Sequence, residues 1–285
     1  MKKTLIIAVY FGSFPYYFPL FRESCFKNKN FEWLIFNDSV GDKQEGNIKY
    51  VKTSLKELSE LASEALSCKI DLKKPYKVCD LRPIFPIIFP DYIKGYEFWG
   101  HCDLDVIWGD MRKFLDYEFP WENDIISADR RRVCGPFSLF KISEKMKYLY
   151  KDIDDYVDIL NSEESGIIDE LEFNQVNEPK RCTQTIDTKK YKVFCGHDIS
   201  GKFISLQRYS TDRAPAYWKN GKLFIEKYFK NLVVYGNNFH GFGAETMMLH
   251  VRKWHYVDCK KKSIHHKDES VDIYKQWTNF DKDFV

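Results

Sequence analysis

Thr4-Leu5-Ile6-Ile7-Ala8-Val9-Tyr10 is a continuous apolar, β-branched run, broken at once by Phe11-Gly12-Ser13. A run that is apolar on both faces is what a strand buried inside a parallel sheet requires. Tyr16 to Lys27 then has a helical pattern, Phe31 to Phe36 reads as a second buried strand ending at Asn37-Asp38, and Ile48 to Val51 as a third. Ser54 to Ser67 is amphipathic, with Leu55, Leu58, Leu61, Ala62, Ala65 and Leu66 along one side. Ser54 is placed to cap it, and Glu57 three residues on completes a capping box. Strands alternating with helices predict an α/β fold around a mostly parallel sheet with flanking helices. Ligands of such sheets bind beyond the carboxyl ends of the strands. Tyr10-Phe11-Gly12, Asn37-Asp38 and Asp103-Leu104-Asp105 all fall at such ends.

The third of these follows an aromatic strand-like run, Phe98-Trp99-Gly100-His101-Cys102, and precedes Val106-Ile107-Trp108-Gly109-Asp110. In an extended chain, residues two apart share a face, so Asp103 and Asp105 are expected to point the same way. Two carboxylates held that close resist ionising together unless a cation lies between them. A hard divalent ion, Mn2+ or Mg2+, supplies that charge and keeps positions open for phosphate oxygens. A second such pair, Asp152-Ile153-Asp154, lies in a stretch of helical pattern, where positions i and i+2 do not share a face, and reads as helix surface.

The 285 residues are 44% hydrophobic and 30% charged, as in a soluble globular protein, with an aromatic content of 17%. A formal net charge of +2 gives no global field for nucleic acid. The local runs Arg130-Arg131-Arg132 and Lys260-Lys261-Lys262 read as solvated surface. Eight cysteines form no C-x-x-C pair and no zinc-like spacing, which suggests a reducing compartment. The N-terminal apolar run is too short for a signal peptide, and no window approaches the roughly 20 apolar residues of a membrane span. These features place the chain in the cytoplasm, with at most peripheral contact at the inner face of the cell membrane.

Further along, Tyr76 to Ile93 carries Pro83, Pro86 and Pro90, so helices there are short or begin at a proline. Asp124 to Ala128 and Val133 to Ile142 read as strands, the second broken at Gly135-Pro136, and Glu144 to Leu160 as one helix. From Asn161 to about Thr211 the pattern loosens. Lys222 to Tyr228 and Leu232 to Tyr235 read as paired strands, and Thr246 to Trp254 as a strand. No repeat or linker interrupts the chain, which reads as one domain, 1–285.

With these residues in place, the chain resembles nucleotide-sugar glycosyltransferases of the GT-A class, and within them a bacterial group linked to polysaccharide or lipopolysaccharide biosynthesis. The resemblance rests on Lys77-Val78-Cys79-Asp80-Leu81-Arg82-Pro83, Gly95 to Asp105, Gly109-Asp110, Gly135-Pro136-Phe137-Ser138-Leu139-Phe140-Lys141 and Met248-Leu249-His250-Val251-Arg252-Lys253. It implies a GT-A-like, Rossmann-like sheet with a donor half, about residues 1–110, and a smaller β-containing acceptor half, about 111–285. The implied activity is metal-dependent transfer of a sugar from a nucleotide-diphosphate donor, a UDP-sugar first among them, to a surface-glycan or lipid-linked acceptor.

By the same resemblance, Tyr10, Phe11 and Gly12 would border the base and ribose, Asp38 would face the base, and Asp80 would hold the nucleotide. Arg82 comes one residue early for the related Asp-x-x-Arg pattern. Asp103 would contact the ribose or a metal-bound water, and Asp105 and His250 would ligate Mn2+ or Mg2+. Gly135 falls where related enzymes place acceptor-side backbone, and Lys253 would neutralise the departing diphosphate. Asp169 and Glu170 lie in the region expected of a base that deprotonates the acceptor, with Asp129 a competitor.

Two rival readings remain at this point. A sugar-nucleotide nucleotidyltransferase also sets carboxylates and metal beside a parallel sheet, yet Tyr10-Phe11-Gly12-Ser13-Phe14-Pro15 lacks the glycine-rich, basic phosphate loop it needs. A non-catalytic carbohydrate-binding protein would use the aromatic residues but has no need for Asp103 and Asp105 at a strand end.

Overall fold

The computed structural model describes residues 2–15, 17–118, 120–129, 131–174 and 184–194, and beyond them short strands between 203 and 275 with the turn residue Gly221. Two compact units interleave along the chain: Met1–Phe14 with Lys29–Leu104 and Leu115–Ile199, and Pro15–Asn28 with Asp105–Phe114 and Ser200–Val285.

The first unit is an α/β fold around an eight-stranded mixed sheet. Its strands are β1 (Thr4–Tyr10), β2 (Phe31–Asn37), β3 (Lys43–Glu45), β4 (Ile48–Lys52), β5 (Phe98–Cys102), β6 (Ile125–Ser127), β7 (Phe137–Lys141) and β8 (Val193–Phe194). The spatial order is β8-β6-β7-β5-β1-β2-β4-β3. β5, β1, β2 and β4 run parallel, as the buried apolar runs require, and β7 lies antiparallel between β5 and β6. A two-stranded sheet pairs Glu172–Phe173 with Thr185–Ile186.

Alternation sends Leu5 and Ile7 of β1, Leu34 and Phe36 of β2, Trp99 of β5 and Phe140 of β7 into one core. Trp99 stacks on Phe140 with ring centroids 4.6 Å apart, and Phe36 on Phe89 at 4.1 Å. The helix Leu55–Leu66 closes on this face through Leu58 and Ala62, and its N-terminus carries the full Ser54/Glu57 capping box. The proline-rich stretch folds as short pieces: a 3-10 helix over Pro75–Ile84, then α-turns at Phe85–Ile88 and Pro90–Ile93. On the opposite face Ile6, Trp33, Ile35 and Phe98 are buried as well.

Three expectations change. Residues 103–105 are not extended: β5 ends at Cys102 and the chain bends, so Asp103 and Asp105 do not share a strand face. The stretch expected to form one helix from Glu144 to Leu160 breaks into Glu144–Lys147, a 3-10 turn at Leu149–Asp152, and Tyr156–Asn161. Its helical spacing was real, since Met146, Leu149, Ile153, Tyr156 and Leu160 are all buried. The helix fails because Asp152 turns aside to accept hydrogen bonds from Lys190 Nζ and Tyr191 Oη, both at 2.6 Å, and Asp155 adopts a left-handed backbone at φ 53°. Asp152 is therefore a tether rather than helix surface. In the second unit, Lys222–Ile225 pairs with the preceding Ala216–Lys219 through a turn at Gly221, φ 80°. Leu232 to Tyr235, expected as its partner, lies outside the described residues.

Within that second unit, Ala216–Lys219 and Lys222–Ile225 belong to a five-stranded sheet with Ala244–Thr246, His255–Val257 and Ser270–Lys275. A three-stranded sheet joins Phe203–Ser205, Met248–His250 and Val106–Trp108. The helix Phe18–Lys27 is pinned to the last of these: Ser24 Oγ accepts the Trp108 amide at 3.1 Å, and Asn28 donates to Gly109 O at 2.8 Å. Among the described residues no helix is long and apolar enough to cross a membrane.

Candidate active site

The strands β1, β2, β4 and β5 point their carboxyl ends the same way, and the chain runs from β1 outward to β2 on one side and to β5 on the other. The crevice between β1 and β5 is thus the topological switch point, where an α/β sheet leaves room for a ligand. Loops Phe11–Pro15 and Asp103–Leu104 leave from its two sides.

On the β1 side the loop is clasped to the end of β2. The Gly12 amide donates to Asp38 Oδ1 at 2.8 Å, and Ser39 Oγ donates to Gly12 O. Gly12 sits at φ 96°, a backbone region open to glycine and strained for other residues. Asn37 is buried and caps the turn through the amides of Ser39, 3.0 Å, and Val40, 2.7 Å. Asp38 therefore orders the loop that Tyr10, Phe11 and Gly12 form.

On the β5 side the organising element is the 3-10 helix Pro75–Ile84. Its three-residue repeat eclipses side chains at i and i+3. One row is Lys77 and Asp80; the next is Tyr76, Cys79 and Arg82. The first row is a strut. Lys77 Nζ donates to Asp80 Oδ2 at 2.8 Å, to Glu164 O at 2.9 Å and to Ile159 O, and both side chains are 0–1% exposed. Asp80 also accepts from the Gly166 amide at 3.0 Å and the Ile168 amide at 3.2 Å. Between those two donors Ile167 is held at φ 56°, an outlier for a β-branched residue that persists because its neighbours over-determine it. Asp80 thus faces the 165–168 loop from a wholly enclosed position; it fixes the turn that carries Asp169.

The second row ends at Arg82, which draws the site together. Its guanidinium pairs with Asp103 and, at 2.8 Å, with Asp169 Oδ2, and donates to Gly135 O. The Asp103 amide in turn donates to Pro136 O at 3.2 Å. Burial pushes the Asp169 carboxyl up to about 7, against the downward pull of Arg82 and with Asp103 and Glu170 adding to the rise. Glu170 lies 3.4 Å from Arg132, which also contacts Asp129 at 3.4 Å. Gly135 is where the backbone comes closest: a Cβ there would stand 2.9 Å from Asp169 Oδ2 and 3.3 Å from Glu170. Behind the cluster His101 is buried with Nε2 3.1 Å from Cys134 O; burial first, then Arg82, hold it well below the usual histidine range.

Arg82, Asp103, Gly135, Asp169 and Glu170 therefore meet in one place, while Tyr10, Phe11, Gly12 and Asp38 form a separate clasp on the other side of the switch point. Asp105 and His250 belong to the second unit, where the register sets His250 opposite Val106, one position along from Asp105. Lys253 lies outside the described residues. Sequence reasoning missed Tyr76, Cys79 and Arg132; the i, i+3, i+6 spacing of Tyr76, Cys79 and Arg82 would have found the first two, had a 3-10 helix been expected.

A divalent cation fits the donor chemistry only in outline. Asp105 and His250 are brought to neighbouring register positions, and Asp103 is partly exposed, its side chain 32% accessible. Among the described residues no group of three or more His, Cys, Asp and Glu side chains is set to hold a metal ion.

The structure is that of an α/β protein with a buried carboxylate–arginine cluster beside the topological switch point of its sheet. The chain belongs to DUF6625, a family of unknown function, whose model matches residues 6–279. No curated protein matches it.

Proposed function

We propose that this protein is a GT-A-like, metal-dependent glycosyltransferase that moves a sugar from a nucleotide-diphosphate donor, such as a UDP-sugar, to a glycan or lipid-linked acceptor. The observation that carries the reading is the cluster at the switch point: the first aspartate of the Asp-x-Asp element shares one arginine with a carboxyl group that burial pushes up to about 7. A carboxyl raised that far accepts a proton more readily than an ordinary carboxylate, as a general base requires.

In this reading Asp169 takes the proton of an acceptor hydroxyl as its oxygen bonds to the anomeric carbon and the bond to the diphosphate breaks. Arg82 holds Asp169 and Asp103 at fixed distance, so the base is positioned before substrate arrives. The Lys77–Asp80 strut fixes the turn that presents Asp169. The Gly12–Asp38 clasp borders the nucleotide. Asp105 and His250 would hold Mn2+ or Mg2+, which would supply positive charge to the diphosphate. Lys253 would add to it. The reaction would take place in the cytoplasm or at the inner face of the membrane.

The test is calorimetric titration of UDP and GDP into the intact chain, with Mn2+ and with EDTA, beside Asp105→Ala. Metal-dependent binding that the variant loses supports the transferase site. Binding of neither nucleotide under any condition removes the reading.

A further inference from the structure

The 3-10 helix Pro75–Ile84 is buried almost throughout: Lys77, Val78, Asp80, Leu81, Arg82, Pro83 and Ile84 are all inaccessible or nearly so. Pro75 and Tyr76, at its start, are exposed. Tyr76 is 70% exposed, the highest value among the large hydrophobic residues found exposed in the described chain. Yet Tyr76 opens the row that continues through Cys79 to Arg82, so its ring stands at the outer end of the line that reaches the carboxylates. Its phenol responds to that surrounding. Partial burial first, then Cys79, Asp169 and Asp103, push it up to about 12, with Arg82 opposing.

An exposed aromatic ring at the outer end of the row that ends at Arg82 is matched by a ligand with an apolar face and polar edges. A pyranose has both, its C–H face apolar and its hydroxyl groups around the rim. A nucleobase offers a flat face too, but Tyr76 shares its row with Arg82, which pairs with Asp169, whereas the Gly12–Asp38 clasp lies on the other side of β1. We infer that Tyr76 is the platform on which the acceptor is held, and that the acceptor presents a pyranose ring there, with a hydroxyl toward Asp169. The inference rests on the transferase reading for its orientation, since it takes Asp169 as the group that meets the acceptor.

The experiment uses the full chain labelled with 3-fluorotyrosine. It carries 18 tyrosines, and the 19F resonance lost in Tyr76→Phe identifies the one concerned. Methyl glycosides of glucose, galactose, mannose and N-acetylglucosamine are titrated to tens of millimolar, and UDP with Mn2+ separately. The expected result is that at least one glycoside shifts the Tyr76 resonance. Tyr76→Ala should weaken that glycoside about tenfold, and Tyr76→Phe, which keeps the ring, less than threefold. A Tyr76 resonance that responds to UDP and to no glycoside overturns the inference, as does one that responds to nothing. The two readings fail separately. Glycoside binding at Tyr76 in a protein that binds neither UDP nor GDP keeps the platform and removes the transferase. Nucleotide binding with Tyr76 indifferent to glycosides does the reverse.

Discussion

Replacing Arg82 with leucine removes the guanidinium shared by Asp103 and Asp169 and the donor to Gly135 O. Removing one member of a buried ion pair costs about 3–5 kcal/mol, because the other charge stays behind. Solvent screens the Asp103 share, with that side chain 32% exposed, so most of the cost falls on Asp169, at 12%. The cost depends on pH. Asp169 has its carboxyl raised from an ordinary 3.8 to about 7 in the folded protein. Between those values the folded state binds the extra proton, so rising pH lowers stability across that window and the loss levels off above 7. Arg82 is the influence that pulls the carboxyl down. Without it the window extends upward, and the variant keeps losing about 1.4 kcal/mol per pH unit where the native protein has levelled. At pH 6, where Asp169 is mostly protonated, the variant should lose about 2 kcal/mol, from hydrogen bonds to the remaining charged and polar partners. At pH 9 it should lose about 3–5 kcal/mol. Urea unfolding followed by tryptophan fluorescence at the two pH values measures both. A loss below about 1 kcal/mol at pH 9, or equal losses at the two, would refute the reasoning.

Lys77→Met should cost about 3–5 kcal/mol by leaving Asp80 enclosed without its cation, and adding Asp80→Asn should recover part of the loss, as thermal unfolding of the three chains would show. Gly135→Ala should cost about 1–3 kcal/mol, since the new methyl group lands 2.9 Å from an Asp169 oxygen and forces the carboxylate off Arg82; denaturation alongside the native chain checks it. Ser54→Ala should cost about 1 kcal/mol by deleting the acceptor of the Glu57 amide and half of the capping box, again read from the unfolding midpoint.

The strands β1, β2 and β4, the capped helix after them and the proline-broken stretch before β5 were legible in the sequence, for a local reason. A both-faces-apolar run such as Thr4–Tyr10, or a box such as Ser54 to Glu57, carries its structural consequence within a few residues. The direction of the central strands was legible too, because it follows from the α/β alternation. Where the reading failed, a partner distant in sequence intervened. Asp152 left its helix for Lys190 and Tyr191, and Lys222–Ile225 is flanked by Ala216–Lys219 and Ala244–Thr246.

The candidate site shows the same division. Asp103 could be named from residue type and spacing, and Arg82, Gly135, Asp169 and Glu170 from the resemblance, yet nothing in the order of residues says that one arginine would bind two carboxylates 66 positions apart. Nor does it say that Asp80 would turn inward to Lys77, or that Tyr76 would share a row with Arg82. The sequence by itself determined β1, β2, β4, the capped helix and the parallel core of the sheet, since these follow from hydrophobic period and backbone stereochemistry. Only the tertiary structure decided which charges are buried together, and with that the pKa of Asp169, because desolvation and Coulomb interaction depend on distance and on what excludes water, and neither is a property of a linear neighbourhood.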